Sequence, residues 1–356
     1  MINNRISREL SNKIANMSFV CACLVVLIHV PGYKTGWLLN DFIYTWVKHG
    51  LTMIAVPVFL VISGFLLGRH IDEIGWYGRA VKSRLRSLVV PFFALNLLWL
   101  PIFFAAHYIG VRYFGADDSN RAMDFTVMNI LYWAGFLPWG GGCVVAVWYV
   151  RALFYLVLMS PVMAYFMRKD GFVPYIMPVL FLCAWCWQSR LNLDGTCLWE
   201  PMSFTFCFRC PLYFSIGMML SRREVLRLPT VCCIVVVLIS ICLLACCTLY
   251  PASDQSVKTL MTFLTTISFA LALWGVIPSC AWPQVLVRNS FRIFVLHGMV
   301  LFVLPFPFKA CGLWTRVLDW PVVVPIWVIT VVTSIVVAEL LRYFAPKASA
   351  VVFGGR

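Results

Sequence analysis

Charged side chains are scarce in this sequence, and acidic ones are the scarcest. Only 12% of the 356 residues are charged, and 14 residues are Asp or Glu. Low-complexity linkers, long charged tails and internal repeats are also missing, which argues against disordered segments and against a solenoid. With 62% hydrophobic residues and a mean hydropathy of +0.89, the chain is too apolar for an ordinary soluble protein. We therefore expect a bilayer, rather than water, to be its main solvent.

Long apolar runs follow one another along the whole sequence, separated by short polar stretches. A helix of about 20 apolar residues crosses a hydrocarbon core of roughly 30 Å. Runs near this length cover residues 14–33, 50–68, 88–110, 142–167, 172–188, 203–220, 229–250, 259–280, 291–308 and 320–343. The sequence thus predicts an all-α fold, a polytopic integral membrane bundle of about ten transmembrane helices that forms a single domain over residues 1–356.

The distribution of Lys and Arg predicts how these helices are oriented. With the N-terminus in the cytoplasm, most of the 28 basic residues fall in inner segments, while the outer loops carry as many acids as bases. We therefore expect both termini to be cytoplasmic. The net charge of +14 is then mainly an orientation signal, and nucleic-acid binding is not expected because no soluble domain presents the basic residues.

The 15 cysteines do not predict a metal centre. Cys183 and Cys186 with Cys207 and Cys210 have the spacing of a zinc site. Both pairs lie in apolar segments, however, where buried Cys commonly behaves as a small hydrophobe. We expect no metal ion there.

Ionisable residues inside the predicted spans are functional candidates, because a polar group in hydrocarbon needs a partner or a cavity. His29 lies about 15 residues from the inner start of its span, or roughly 22 Å up the helix. Arg151 and Arg209 enter their spans from the outside, so all three could share one depth. A neutral imidazole beside guanidinium groups suits a general base. The alternatives are a hydrogen-bonded packing histidine and arginines that extend outward to water.

Other residues in the predicted spans also need an explanation. His297 lies near the inner end of the ninth run, where it could meet donor chemistry from the cytoplasm or form hydrogen bonds within the bundle. Glu339 lies close to Arg342, and we expect an interfacial ion pair. Ser63 and Gly64 belong to the second run, in which Gly64 and Gly68 form a small-xxx-small pair typical of closely packed membrane helices.

Five segments, in this order, resemble those of the bacterial acyltransferase family 3, the multispan membrane O-acyltransferases of surface carbohydrates. Residues 24–29 (Leu-Val-Val-Leu-Ile-His) are similar to the family's Val-rich run that closes in His. Residues 57–67 (Pro-Val-Phe-Leu-Val-Ile-Ser-Gly-Phe-Leu-Leu) resemble its Phe-rich stretch with Ser-Gly. Residues 82–91 (Lys-Ser-Arg-Leu-Arg-Ser-Leu-Val-Val-Pro) resemble its basic inner loop. Residues 148–154 and 290–297 are similar, more loosely, to its fourth-span and late His segments.

The resemblance implies an O-acetyltransferase of the bacterial inner membrane. The donor would be cytoplasmic acetyl-CoA, the acceptor a hydroxyl of a surface or lipid-linked carbohydrate on the outer face, and no cofactor would be bound permanently. His29 would be the general base or would carry the acyl group. Arg151 or Arg209 would stabilise the oxyanion. The residues expected to bind the donor are His297 and a basic group, Arg79, Lys82, Arg84 and Arg86. The alternative for the basic group is an ordinary positive-inside anchor, on an interfacial helix predicted over residues 69–87.

One position departs from the family pattern. The family usually has a basic residue eleven positions before the first-span His, where this chain has Ser18. Either Lys13 or Arg151 substitutes, or the activity is altered or lost. Two other classes therefore stay open: a carrier or flippase for a lipid-linked or anionic sugar, and a noncatalytic scaffold.

Overall fold

Helices make up the regular structure of the part of the chain that the computed structural model describes. These residues are 6–30, 44, 46–114, 126–136, 143–144, 148–191, 208–222, 235–236, 238–239, 242, 254–304 and 320–355, and none of them lies in a β-strand. The helices are α1 Arg8–His29, α2 Ala55–Gly68, α3 Trp76–Arg84, α4 Val90–Phe114, α5 Val127–Trp133, α6 Trp148–Met167, α7 Val173–Arg190, α8 Arg209–Leu220, α9 Gln255–Val276, α10 Gln284–Val287, α11 Ser290–Val303, α12 Trp320–Phe344 and α13 Pro346–Val352. The predicted all-α fold is confirmed.

Within the residues that the structure describes, five stretches of helix are long and apolar enough to cross a bilayer. They are Arg8–His29, Trp76–Ala106, Trp148–Met167, Gln255–Val276 and Val322–Phe344. Two shorter apolar stretches, Thr52–Gly68 and Ser290–Val303, accompany them. The predicted run 229–250 lies almost wholly outside the described residues, and every other predicted run overlaps a helix. The count of ten crossings and the orientation of the termini stay predictions.

Helix α1 is fixed along its length by long-range polar contacts. It begins after Ser7, whose hydroxyl accepts from the Leu10 amide at 3.2 Å. The amide of Asn16 donates to the carbonyl of Pro278 at 3.0 Å. Higher on the helix, the Trp327 indole donates to the carbonyl of Cys23 at 2.7 Å. These contacts fix the height and the rotation of α1 in the bundle.

Helices α2 and α8 touch backbone to backbone at glycines. A Cβ on Gly64 would overlap the Phe214 carbonyl oxygen, and one on Gly217 would overlap the Val61 carbonyl oxygen. Gly68 continues the contact one turn further along α2. Small residues let membrane helices approach this closely, and van der Waals packing then holds the pair together.

The basic segment differs from the interfacial helix expected over residues 69–87. Helix α3 begins only at Trp76, after Gly75 with φ of 69°. A π-helical turn, Leu85–Val89, joins α3 to α4, so that Trp76–Ala106 forms one long apolar stretch. The Tyr77 hydroxyl donates to the Leu158 carbonyl of α6 at 3.3 Å. The basic residues therefore lie on the first turns of a helix that enters the bundle, rather than on a separate surface helix.

The turn between α2 and α3 connects three segments by ion pairs. Asp72 lies 2.8 Å from Arg222, just after α8, and 3.5 Å from Arg168, at the end of α6. Arg168 also donates to the Ile71 carbonyl. The three segments therefore meet at one end of the bundle.

Glu339 is the centre of a second ionic cluster. Its carboxylate lies 2.9 Å from Arg342, which confirms the expected pair, and 2.6 Å from Arg288. It also accepts from the Asn289 amide at 2.7 Å and from Arg292, a buried guanidinium, at 3.3 Å. The cluster joins the start of α11 to the end of α12.

We expect Gly64→Ala to destabilise the protein by about 3 kcal/mol, because a backbone carbonyl, unlike a side chain, cannot move aside for the new methyl group. The measurement is thermal unfolding of the purified protein in detergent. Gly78→Ala is the matched control, since a Cβ on Gly78, a helix residue, meets nothing within 4 Å. Equal melting temperatures for the two variants would contradict the tight α2–α8 contact.

Candidate active site

Two histidines from different helices lie side by side. His29 is the last residue of α1, and His297 lies in α11. Their ring centroids are 5.1 Å apart with an interplanar angle of 34°. The His29 side chain is exposed, whereas His297 is only 1% exposed. One imidazole is therefore accessible to a substrate, and the other supports it from inside the bundle.

The hydrogen bonds of His297 define its tautomer. Its Nδ1 lies 2.7 Å from the Phe294 carbonyl oxygen and 3.3 Å from that of Ile293. Carbonyl oxygens only accept, so Nδ1 carries the proton in these contacts. In a neutral imidazole the other nitrogen is then an acceptor. His297 thus holds an unprotonated Nε2 in a fixed ring beside His29.

Lys48 holds the end of α1 from the following segment. Its ammonium donates to the Ile28 carbonyl at 3.1 Å and also to the Val30 carbonyl. Cations are favourable at this end of a helix, where carbonyls are left without helical partners. Lys48 is also close enough to His29 for their charges to interact. A fixed positive charge therefore accompanies the accessible imidazole.

An aromatic cluster lies next to the histidine pair. The ring of Phe294 lies 6.2 Å from that of His297, and the ring of Tyr149, on α6, lies 5.4 Å from Phe294. Phe59, on α2, contacts Tyr149 and Phe294 at 6.0 and 5.9 Å. The Tyr149 hydroxyl is 3.5 Å from that of Ser63. The Ser-Gly segment of α2 is therefore connected to the histidines through aromatic side chains.

Arg84 is the residue of the basic segment that lies deepest in the bundle. Its side chain is half-buried and is close enough to Tyr149 for the two groups to interact electrostatically. Tyr149 in turn contacts Phe294. Ring contacts thus lead from Tyr149, which lies near Arg84, through Phe294 to His297.

The other three basic residues of the segment are exposed. Arg79 forms an ion pair with Glu73, while Lys82 and Arg86 lie open to the surroundings. The hydrogen bond from the His70 ring and then the charge and hydrogen bond of Arg79 hold the pKa of the Glu73 carboxyl below its usual value. Lys82 and Arg86 are better placed than Arg79 to meet an incoming anion, since Arg79 already has a carboxylate partner.

Arg151 and Arg209 lie in the first turns of two different helices. Arg151, half-buried on α6, lies near Tyr132 and Tyr155. Arg209 is the first residue of α8, and the preceding Phe208 amide donates to the Gln188 side chain at 3.3 Å. The depth that both residues would share with His29 stays a prediction.

Ser18 and Lys13 make contacts of their own on α1. The Ser18 hydroxyl donates to the Ile14 carbonyl of the same helix at 2.8 Å. The Lys13 ammonium lies over the Trp274 ring, 4.9 Å from its centroid. Lys13 is five residues before Ser18, about 7.5 Å along the helix, so its substitution for a basic residue at position 18 stays a prediction.

A model of the acyltransferase domain of family 3 matches residues 14–339, which is most of the chain. The chain belongs to acyltransferase family 3. No significant match exists among curated proteins or solved structures. Membership makes the protein an acyltransferase, and its apolar helices make it a multi-pass membrane protein.

Two features of this family 3 site were missed in the sequence. His297 was assigned to the inner end of its run, and its contact with His29 depends on how α1 and α11 pack. Lys48, which lies between the first two predicted spans, was not singled out, although a basic residue in a predicted outer loop runs against the positive-inside rule and could have drawn attention. Cys207 lies outside the described residues, so the absence of a metal at the Cys pairs stays a prediction.

The tautomer of His297 can be measured directly. We expect solid-state NMR of ¹⁵N-histidine-labelled protein to show a proton on Nδ1 of His297, because two backbone carbonyls accept from that nitrogen. His297→Asn, which keeps a donor near the Phe294 carbonyl, identifies the signal by its loss. A protonated Nε2 with a bare Nδ1 would contradict the assigned hydrogen bonds.

Proposed function

We propose that this acyltransferase moves an acetyl group from cytoplasmic acetyl-CoA to a hydroxyl of a surface or lipid-linked carbohydrate at the outer face of a bacterial inner membrane. The observation that carries the proposal is the accessible imidazole of His29 beside the buried, oriented imidazole of His297. A base oriented by a second hydrogen-bonding group is the arrangement that activates a hydroxyl for acyl transfer.

In the proposed reaction, His29 takes the proton of the acceptor hydroxyl as its oxygen attacks the thioester carbonyl. The new C–O bond forms the tetrahedral intermediate, and the C–S bond then breaks. The proton passes from His29 to the departing sulfur, so CoA leaves as the free thiol and the imidazole returns to its neutral form. His297 positions the His29 ring through its unprotonated Nε2.

Lys48 is the proposed donor to the oxyanion. An ammonium has three N–H groups, and two of those of Lys48 go to the carbonyls of Ile28 and Val30. The third can point toward the reacting carbonyl beside His29. Arg151 and Arg209, assigned this role from the sequence, stay candidates for binding an anionic acceptor or for sharing the oxyanion charge.

The proposed donor site lies on the basic segment. Lys82 and Arg86 are exposed and would bind the phosphates of acetyl-CoA, with Arg79 at the edge of the same site. Arg84 marks the start of a proposed path into the bundle. It lies near Tyr149, whose ring contacts Phe294, and Phe294 in turn contacts His297. The uncharged pantetheine arm would follow this path to bring the thioester to His29.

Replacing His29 by Ala should lower acetyl transfer by about 10²- to 10⁴-fold, the usual contribution of a general base. The measurement is incorporation of radiolabel from acetyl-CoA into carbohydrate by membranes that contain the protein. His70→Ala is the control, since His70 lies in the turn between α2 and α3, away from the pair. Transfer at the wild-type rate by His29→Ala would exclude His29 as the base. A carrier or a noncatalytic scaffold would leave acetyl-CoA intact in every sample.

Replacing Lys48 by Met should lower kcat by about 10²-fold or more, the usual cost of losing one oxyanion donor. The KM for acetyl-CoA should change little, because the donor phosphates bind elsewhere. Lys48→Arg should recover part of the rate, since a guanidinium also donates to helix-end carbonyls. A loss confined to KM, or equal kcat values for Lys48→Met and the wild type, would remove Lys48 from the chemistry.

A further inference from the structure

An apolar cavity of about 290 Å³ lies between α1, α2, α8 and α9. Its volume is close to the lower end of the range of about 300–1,000 Å³ that is usual for small-molecule sites. None of the described residues that line it is charged, and most of them are Leu, Ile, Val, Met or Phe. The hydroxyl of Thr266, a lining residue, donates to the Thr262 carbonyl of its own helix at 2.7 Å. The cavity is therefore suited to hydrocarbon rather than to a polar ligand.

The cavity lies along one half of the helices that are long enough to cross a bilayer. On α1 it extends from Leu10 to Met17 and on α9 from Thr266 to Trp274, about 10 to 12 Å along each helix. Half of a hydrocarbon core is roughly 15 Å thick. Met17 lies about 18 Å before His29 along α1. The cavity thus matches one leaflet in height and is separate from the histidine pair.

Two half-buried cations lie over aromatic rings of the cavity lining. The Lys13 ammonium is 4.9 Å from the centroid of the Trp274 ring, and the Arg69 guanidinium is 5.8 Å from that of the Phe65 ring. Trp274 and Phe65 are the lining residues nearest to the ends of α9 and α2. The charge distribution along the sequence assigns both cations to inner segments. Positive charge therefore accompanies the predicted inner end of the cavity.

We propose that this cavity binds an acyl chain of an anionic phospholipid from the inner leaflet, whose phosphate headgroup meets Lys13 and Arg69. The apolar lining favours the chain because burial removes hydrocarbon from contact with mobile lipid and gives it fixed packing partners. The two cations select an anionic headgroup over a zwitterionic one. Lipid binding at this cavity does not depend on acetyl transfer.

Two other occupants make different predictions. The pantetheine arm of acetyl-CoA carries amide groups, which an apolar lining would leave without hydrogen-bond partners at a cost in free energy. If that arm did bind here, acetyl-CoA would compete with the lipid. Ordinary annular lipid would fill the cavity without regard to its headgroup, so the headgroup preference is the discriminating quantity.

The experiment measures binding of phosphatidylglycerol, and of phosphatidylcholine with the same chains, to the purified full-length protein in detergent. Native mass spectrometry counts the bound lipids during titration. Ala270→Phe places a large ring in the cavity, because Ala270 is a lining residue. Leu264→Phe is the matched control, since Leu264 is exposed on the same helix and does not line the cavity. We expect Ala270→Phe to lose the most tightly bound lipid and Leu264→Phe to keep it.

The headgroup is tested by removing the cations, which leaves the cavity itself unchanged and keeps the test available if Ala270→Phe does not fold. We expect the wild type to bind phosphatidylglycerol about 10-fold or more tighter than phosphatidylcholine, and Lys13→Gln or Arg69→Gln to lower this preference by about 5-fold each. Lys169→Gln is the matched control, because the Lys169 ammonium also lies over an aromatic ring, 5.0 Å from the Tyr165 centroid, away from the cavity.

Three results would overturn the proposal: equal binding of the two lipids by the wild type, an unchanged preference in both cation variants, or displacement of the bound lipid by acetyl-CoA. A folded Ala270→Phe variant that binds phosphatidylglycerol as tightly as the wild type would place the lipid elsewhere on the protein and overturn it as well. Because no acyl transfer is measured, each of these results leaves the proposed acetyl transfer to its own test.

Discussion

The contact between α1 and α11 is the interaction on which the candidate site depends. It places two imidazoles with their ring centroids 5.1 Å apart, and a shift of one residue on either helix would turn a side chain away by about 100°. The contact is therefore only as well defined as the position of α1. Asn16, Trp327 and Lys48 fix α1 at its lower part, its upper part and its end, each from a different segment. The geometry of the histidines is thus determined by hydrogen bonds that lie outside the site.

The other polar groups of the apolar helices show why the histidine pair is distinctive. Hydroxyls on these helices commonly donate to a carbonyl of their own helix, as Ser18, Thr330 and Ser334 do. Such bonds satisfy a polar group in hydrocarbon without involving another element. His297 also bonds its own helix, through Nδ1, and its ring lies beside that of His29. An imidazole can therefore form the hydrogen bond that a polar group needs in hydrocarbon with one ring nitrogen, while its other nitrogen stays able to take part in proton transfer.

The sequence predicted the features that follow from local composition. Hydropathy located the helices because a span is a property of one segment, and the residue type alone marked His29 and His297 as candidates. Their contact was not predictable, since it depends on the rotation of two helices separated by more than 260 positions. Lys48 was missed for the same reason, because its partners are carbonyls at the end of α1. The basic segment was predicted to be an interfacial helix because it combines apolar with basic residues, whereas α3 continues through a π-helical turn into α4.

The basic residues of α3 and of the turn after it face different surroundings. Lys82 and Arg86 stay exposed while Arg84 turns toward Tyr149, so the segment offers charge at its outer side and aromatic carbon at its inner side. A donor with a phosphate-rich head and a thin uncharged arm matches that sequence of environments. A molecule charged along its whole length would bring charge next to the aromatic rings, and the free-energy cost of removing that charge from water would oppose its binding. Along the proposed donor path, charge is therefore met before aromatic carbon.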